Sequence, residues 1–173
     1  MTSNRSLMHR NAMLMGTWLG GFWIFKFIFF PLGLLYPFCS MIFMGLTISM
    51  PYMAYKWVNM YRDNMLGGSI TFAHAYMFSL YMFLFASLLT TIAHYVYFAF
   101  IDQGFLYETY SQSITMLEVQ GGKEIQELTA QFNEALDAFK TLTPIDITLN
   151  IMSWNFTCGI FLSLIIALFV KKK

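Results

Sequence analysis

The sequence predicts an all-α membrane protein, with four transmembrane helices and an extracytoplasmic amphipathic helical pair between the third and fourth. Three observations predict it. The 173-residue chain is 58% hydrophobic and 11% charged, whereas soluble domains carry about 25% charged residues. Four apolar stretches, approximately 12–31, 34–55, 72–101 and 145–170, each hold the roughly 20 residues needed to cross about 30 Å of hydrocarbon. Between the last two, residues 102–143 turn polar and acidic. The spans fill more than half the chain, which leaves a single membrane domain over 1–173 and no room for a separate soluble catalytic domain.

Residues 1–11 are polar and basic, with Arg5, His9 and Arg10. The apolar run that follows has signal-peptide polarity but no small-residue cleavage site, so it reads as a retained first helix. Ala12, Gly16 and Gly20 recur at spacing four, a small-residue stripe that lets helix backbones approach closely in lipid. Packing against a neighbour in the same chain is the expected use. Pro31 and Pro37 bracket a short turn, PLGLLYP, and predict a tight hairpin. The second helix follows, bent at Pro51 by the loss of a backbone hydrogen bond. Lys56 and Arg62 are expected in a loop that ends at Gly67 and Gly68.

The third helix runs from about Thr71 to Ile101 without a breaker, about 45 Å, so it must tilt or protrude. At 100° per residue, Tyr76, Ser79, Phe83, Ser87, Thr90, His94 and Tyr97 share one face, with Phe78, Tyr81, Phe85, Leu88, Ile92 and Val96 opposite. Polar side chains in a membrane helix turn toward protein; the first face is predicted to lie inside the bundle and the second to meet lipid.

Residues 102–143 carry seven acids against Lys123 and Lys140. Two apolar stripes, Leu106–Tyr110–Ile114–Leu117 and Ile125–Leu128–Phe132–Leu136–Phe139, are separated by Gly121 and Gly122 and predict two amphipathic helices. Their acidity argues against electrostatic binding to anionic lipid. Pro144 opens the fourth helix, whose packing stripe is Asn155, Gly159, Ser163 and Ala167.

Arg5, Arg10, Lys56, Arg62, Lys171, Lys172 and Lys173 fall on one side and Lys123 and Lys140 on the other. The positive-inside rule then gives cytoplasmic N- and C-termini and an external acidic pair. Cys39 and Cys158 differ in expected depth by about 10 Å, and are read as unpaired thiols. The fourteen methionines are scattered through the spans, with Met116 in the outer segment; gap-filling explains them better than soft-metal transport.

Arg62-Asp63, Gly67-Gly68 with Phe72 and Ala75 just after, Phe100-Ile101-Asp102 with Gly104-Phe105, and Gly159, Ser163 to Ala167 and Lys171 to Lys173 together resemble the domain-of-unknown-function 4199 family, small four-span proteins of Bacteroidetes-type bacteria. The resemblance covers about residues 12–173. It implies a multi-pass protein of the bacterial inner membrane and supplies no catalytic residues. Members often carry proline after the exit aspartate, where this chain has Gln103. They are often encoded beside a family 2 glycosyltransferase similar to polyprenyl-phosphate sugar synthases, an association that hints at a partner.

No nucleotide-binding glycine loop, metal-spaced His/Cys set or Ser/His/Asp arrangement is present, so neither a cofactor, a metal nor a nucleic-acid partner is expected. His74 and His94 lie about 30 Å apart on opposite helix faces, too far to share a metal. Depth counting brings Lys26, His94 and Asn150 to one level in the outer leaflet, with Asp102, Glu108 and Asp146 just above. An intramembrane lysine is a functional candidate, and this set could hold an anionic head group such as a polyprenyl phosphate. The competing account has Lys26 snorkelling outward to pair with Asp102 or Asp146, and Asp102 also has a helix-capping role available. The expected function is therefore a non-enzymatic accessory or scaffolding subunit, in contact with lipid and with a protein partner or further copies of itself. A small oligomeric transporter or lipid flippase is the alternative, and an integral-membrane enzyme comes third.

Overall fold

The computed structural model describes residues 2–120 and 123–172; the predicted Gly121–Gly122 break, and Lys173 of the basic ending, lie outside them. Among the described residues there are six α-helices and no strands: α1 Thr2–Leu35, α2 Pro37–Met65, α3 Phe72–Val96, α4 Phe105–Gln120, α5 Lys123–Lys140 and α6 Pro144–Val170. Four helical stretches, within α1 and over α2, α3 with its extension to Ile101, and α6, are long and apolar enough to cross a membrane. The chain is a multi-pass membrane protein.

Several predicted boundaries move. α1 starts at Thr2, so the polar leader is helical, and it continues through Pro31 to Leu35. A proline inside a helix forfeits one hydrogen bond, a loss that membrane helices tolerate; Pro31 is thus no turn residue. The reversal is made by Tyr36, extended at φ −126° and ψ 108°, directly before Pro37 in the first turn of α2. That is the conformation a following proline imposes, and proline's fixed φ suits a helix start. Ser40 closes the corner by donating its hydroxyl to the Gly33 carbonyl at 2.7 Å. A Cβ on Gly33 would lie 2.6 Å from the Ser40 Oγ and 3.1 Å from its backbone, so a larger residue there would displace the hydroxyl that closes the corner.

Lys56 and Arg62 lie on α2 rather than in a loop, because the helix runs ten residues beyond the predicted Tyr55 to Met65. Gly67 and Gly68, at φ 67° and 88°, end it. The amides of Leu66 and Gly68 both donate to the Arg62 carbonyl at 3.1 Å, satisfying an acceptor that a helix end leaves open. α3 is also not uniform: its last turn, Tyr97–Ile101, is π-helical.

The chain divides into two compact units: residues up to Ala93 with those from Ile151 onward, and His94–Asn150. In the first unit α3 is the hub. A Cβ on Gly16 would come within 2.7 Å of the Met82 carbonyl oxygen and the Phe85 Cβ, and one on Gly20 within 3.1 Å of the Ala86 carbonyl oxygen. The α1 stripe thus seats backbone on backbone against α3. Gly159 of α6 lies under Phe83, whose Cβ is 2.8 Å from where its own would be, and Ser163 and Ala167 are fully buried. The core runs through Leu19, Trp23, Val58, Tyr61, Met82, Phe83, Ile166 and Val170.

The predicted polar face of α3 is inside, with Ser79, Phe83, Ser87, Thr90 and His94 all buried. Each hydroxyl of Ser79, Ser87 and Thr90 returns to a backbone carbonyl of its own helix, which removes the need for water. The opposite face departs from the expectation. Leu88, Ile92 and Val96 are outward, but Phe78 is fully buried, stacked on Tyr61 with ring centroids 3.9 Å apart. Tyr81 meets His9 edge-on at 4.4 Å, and Phe85 covers Gly16. The extended ends of α1 and α2 wrap the first half of α3, and periodicity within α3 contains no trace of them.

In the second unit α4 and α5 form a hairpin. Glu118 accepts from the Asn133 amide at 3.4 Å and the Thr129 hydroxyl at 3.5 Å, and the Lys140 ammonium lies 4.9 Å from the Tyr107 ring centroid. Leu106 and Ile114 of the predicted stripes are buried, while Leu117, Leu128 and Phe132 are more than half exposed.

Candidate functional site

Each residue predicted for the outer-leaflet cluster has a definite local setting. Lys26, in the first unit, is half-buried with its ammonium 5.1 Å from the Phe43 ring centroid on α2. A cation over a ring face is attracted by the ring's quadrupole, worth about 0.5–2 kcal/mol as water is excluded.

The other four lie in the second unit. Asp102 is buried and serves the start of α4: Oδ1 accepts from the Leu106 amide at 3.3 Å and the Tyr97 hydroxyl at 3.2 Å, and Oδ2 from the Gly104 amide at 3.2 Å. Its carbonyl also accepts from the Phe105 amide at 2.7 Å. This is the capping role that the sequence offered. Asp146 is exposed and makes a reciprocal capping box with Thr143 at the start of α6. Its Oδ2 accepts from the Thr143 amide at 3.0 Å and from the hydroxyl, and its own amide donates to the Thr143 Oγ1 at 3.4 Å. Asn150, also exposed, donates to the Asp146 carbonyl at 2.9 Å. His94 is 5% exposed. Both acids are therefore committed to helix starts, and the amide to a backbone carbonyl.

A second polar site stands at the basic end of the first unit, where sequence reading placed charges without geometry. Arg62 donates from Nε and Nη2 to both carboxylate oxygens of Asp63, at 2.7 and 3.1 Å, and from Nη1 to the Val170 carbonyl at 3.0 Å. A cation on the last carbonyls of α6 complements the negative end of that helix's dipole. The loop at Ile70 and the tail at Lys172 exchange two backbone hydrogen bonds, 2.9 and 3.1 Å, as an antiparallel bridge. The basic tail is thereby fixed at the start of α3. There Tyr61, buried, pairs with the His74 Nε2 at 3.1 Å, and the Thr71 Oγ1 accepts from the His74 amide at 3.3 Å.

Between them is an open cavity of about 340 Å³ lined by Leu66, Ser69, Ile70, Thr71, His74 and Lys172. The sequence signals for this site were Gly67-Gly68 and the terminal lysines. The bridge that joins them pairs residues about a hundred positions apart, and no local pattern encodes it.

Fold and charge layout define a small polytopic helical membrane protein in which the end of α2 and the loop after it are tied to the end of α6 by hydrogen bonds. A family model described as "Protein of unknown function (DUF4199)" matches residues 14–172, nearly the whole chain. The chain belongs to that family. No curated protein and no solved structure matches it.

Proposed function

We propose that this protein is a non-catalytic accessory subunit of the bacterial inner membrane. Its basic ends are cytoplasmic, and its acidic hairpin docks outside on another membrane protein. The observation that carries this reading is the surface of the α4–α5 hairpin. Val119 is 82% exposed, Met116 65%, and Leu128 and Phe132 54% each. Apolar groups in a segment outside the spans mark a contact surface when they cluster. The acids of the same segment, Glu108, Glu118, Glu124, Glu127, Glu134 and Asp137, outnumber Lys123 and Lys140. That charge disfavours anionic lipid and favours a protein face with basic groups. A family 2 glycosyltransferase acting on polyprenyl phosphate is the first partner to test, since genes for similar proteins often adjoin one.

The experiment is co-purification from native membranes in mild detergent. The wild-type chain is expected to elute with a co-expressed family 2 glycosyltransferase, and V119E/F132E to elute without it at unchanged thermal stability, both side chains being exposed. A wild-type chain that elutes alone sinks the proposal.

A further inference from the structure

We propose that the cavity at the start of α3 binds the phosphate of an anionic phospholipid headgroup. Its lining is divided in the way such a ligand requires. Leu66 and Ile70 supply apolar wall, while Ser69, Thr71, His74 and Lys172 supply hydroxyl, imidazole and ammonium groups. A free inorganic anion has no use for the apolar half, whereas the junction of headgroup, glycerol and acyl chain has. Met65, 52% exposed, precedes the lining residue Leu66, and Phe72, 38% exposed, follows Thr71, so both put apolar side chains on the surface beside lining residues in sequence.

The donors are held in place before any ligand arrives. Lys172 is positioned by main-chain bonds to Ile70, so its side chain begins from a fixed point at the cavity edge. Tyr61 holds the imidazole through Nε2, which fixes the ring's orientation at the cavity wall. Thr71 accepts from the His74 amide, leaving the Phe72 and Ala73 amides, which have no intrahelical acceptor, at the positive end of the α3 dipole. The nearby carboxylate, Asp63, is already neutralised by the two-point contact with Arg62. A phosphodiester entering here meets a net positive, hydrogen-bonding surface at the level where the spans end.

The test uses the full-length protein in phosphatidylcholine nanodiscs containing a minor fraction of phosphatidylglycerol, with retained phosphatidylglycerol counted by native mass spectrometry. Lys172→Ala keeps the bridge, which uses main-chain atoms, and is expected to lower retention about tenfold, the worth of a hydrogen bond to a charged group. Ser69→Ala is expected to lower it in part. Lys171→Ala removes the same charge from outside the lining and is expected to cost less than Lys172→Ala, at most the roughly fivefold that about 1 kcal/mol of surface attraction represents. Equal losses for Lys171→Ala and Lys172→Ala mean charge counting without a site and overturn the proposal, as does undiminished retention in Lys172→Ala. Displacement of the lipid by millimolar inorganic phosphate makes the free anion the occupant and overturns the headgroup assignment.

Discussion

The Arg62 guanidinium donates from Nη1 to the main-chain oxygen of Val170, 108 residues later in the chain, at 3.0 Å. Because the same side chain also holds Asp63 and its own carbonyl accepts from Leu66 and Gly68, Arg62 ties the end of α2, the loop after it and the end of α6 into one knot. Arg62→Ala removes the external cap of α6 and leaves Asp63 without its partner. The expected loss is about 1–3 kcal/mol, read as a lowered thermal midpoint in detergent. Arg62→Lys is expected to recover a minor part, because an ammonium cannot reproduce the planar fork. An unchanged midpoint for Arg62→Ala would falsify the knot.

Gly16 and Gly21 are both helical glycines of α1 with opposite surroundings. A Cβ at Gly16 runs into the Met82 carbonyl oxygen and Phe85 Cβ, both at 2.7 Å, while one at Gly21 meets nothing within 4 Å. Gly16→Ala must push α1 off α3 and is expected to destabilise by about 1–3 kcal/mol. Gly21→Ala is expected to stabilise by up to about 1 kcal/mol through helix propensity. Paired thermal unfolding curves decide it; the contact account is lost if the two variants shift together.

Gly16 also shows what was legible. Spacing four along α1 announced close packing, and the chain uses it against its own α3. Hydropathy located all four spans because length and apolarity are local properties. The start of α1 and the end of α2 were hidden, since polar residues such as Asn11, Lys56 and Asn59 end a hydropathy window without ending a helix. Phe78 shows the same limit: its burial is supplied by Tyr61 from α2. At the outer cluster, the type of Asp102 was informative as a cap, whereas Asp146, read as a partner for Lys26 or a head group, caps α6. Depth counting along separate helices carried no information on which atoms each carboxylate would meet.

Lys26 puts the transporter alternative to the test. Its ammonium sits over Phe43, a contact worth about 0.5–2 kcal/mol, against a cost of roughly 2.5–3.5 kcal/mol for a lysine deep in a span. Lys26→Met is therefore expected to raise the thermal midpoint and to leave growth and lipid binding unchanged. A loss of growth or lipid binding in a variant that is at least as stable would show that the charge is retained for function, and would favour transport.

Gln103 is the described non-glycine residue with positive φ, 45°, in the turn from the end of the π-helical segment to α4. A side chain in that region costs about 1–2 kcal/mol, so Gln103→Gly is expected to stabilise by roughly 1 kcal/mol. Proline is locked near −65°. Gln103→Pro in this chain is expected to destabilise, through loss of the Asp102 bonds to Gly104 and Leu106. Retained stability in Gln103→Pro would mean that the turn has a second conformation of equal energy.

Trp23 is 5% exposed, and its indole nitrogen has no hydrogen-bond partner among the described residues. The ring packs against Phe83, with centroids 6.3 Å apart, so its contribution is shape rather than a bond. An unsatisfied buried donor costs about 1–3 kcal/mol, and Trp23→Phe removes that cost along with part of the ring's volume. The two changes oppose each other, and the net effect is expected to stay within about 1 kcal/mol. Trp23→Ala removes the packing with nothing to offset it and is expected to cost about 3–5 kcal/mol. Thermal unfolding of the two variants separates packing from hydrogen bonding: a Trp23→Phe loss as large as that of Trp23→Ala would mean that the indole N–H makes a stabilising hydrogen bond.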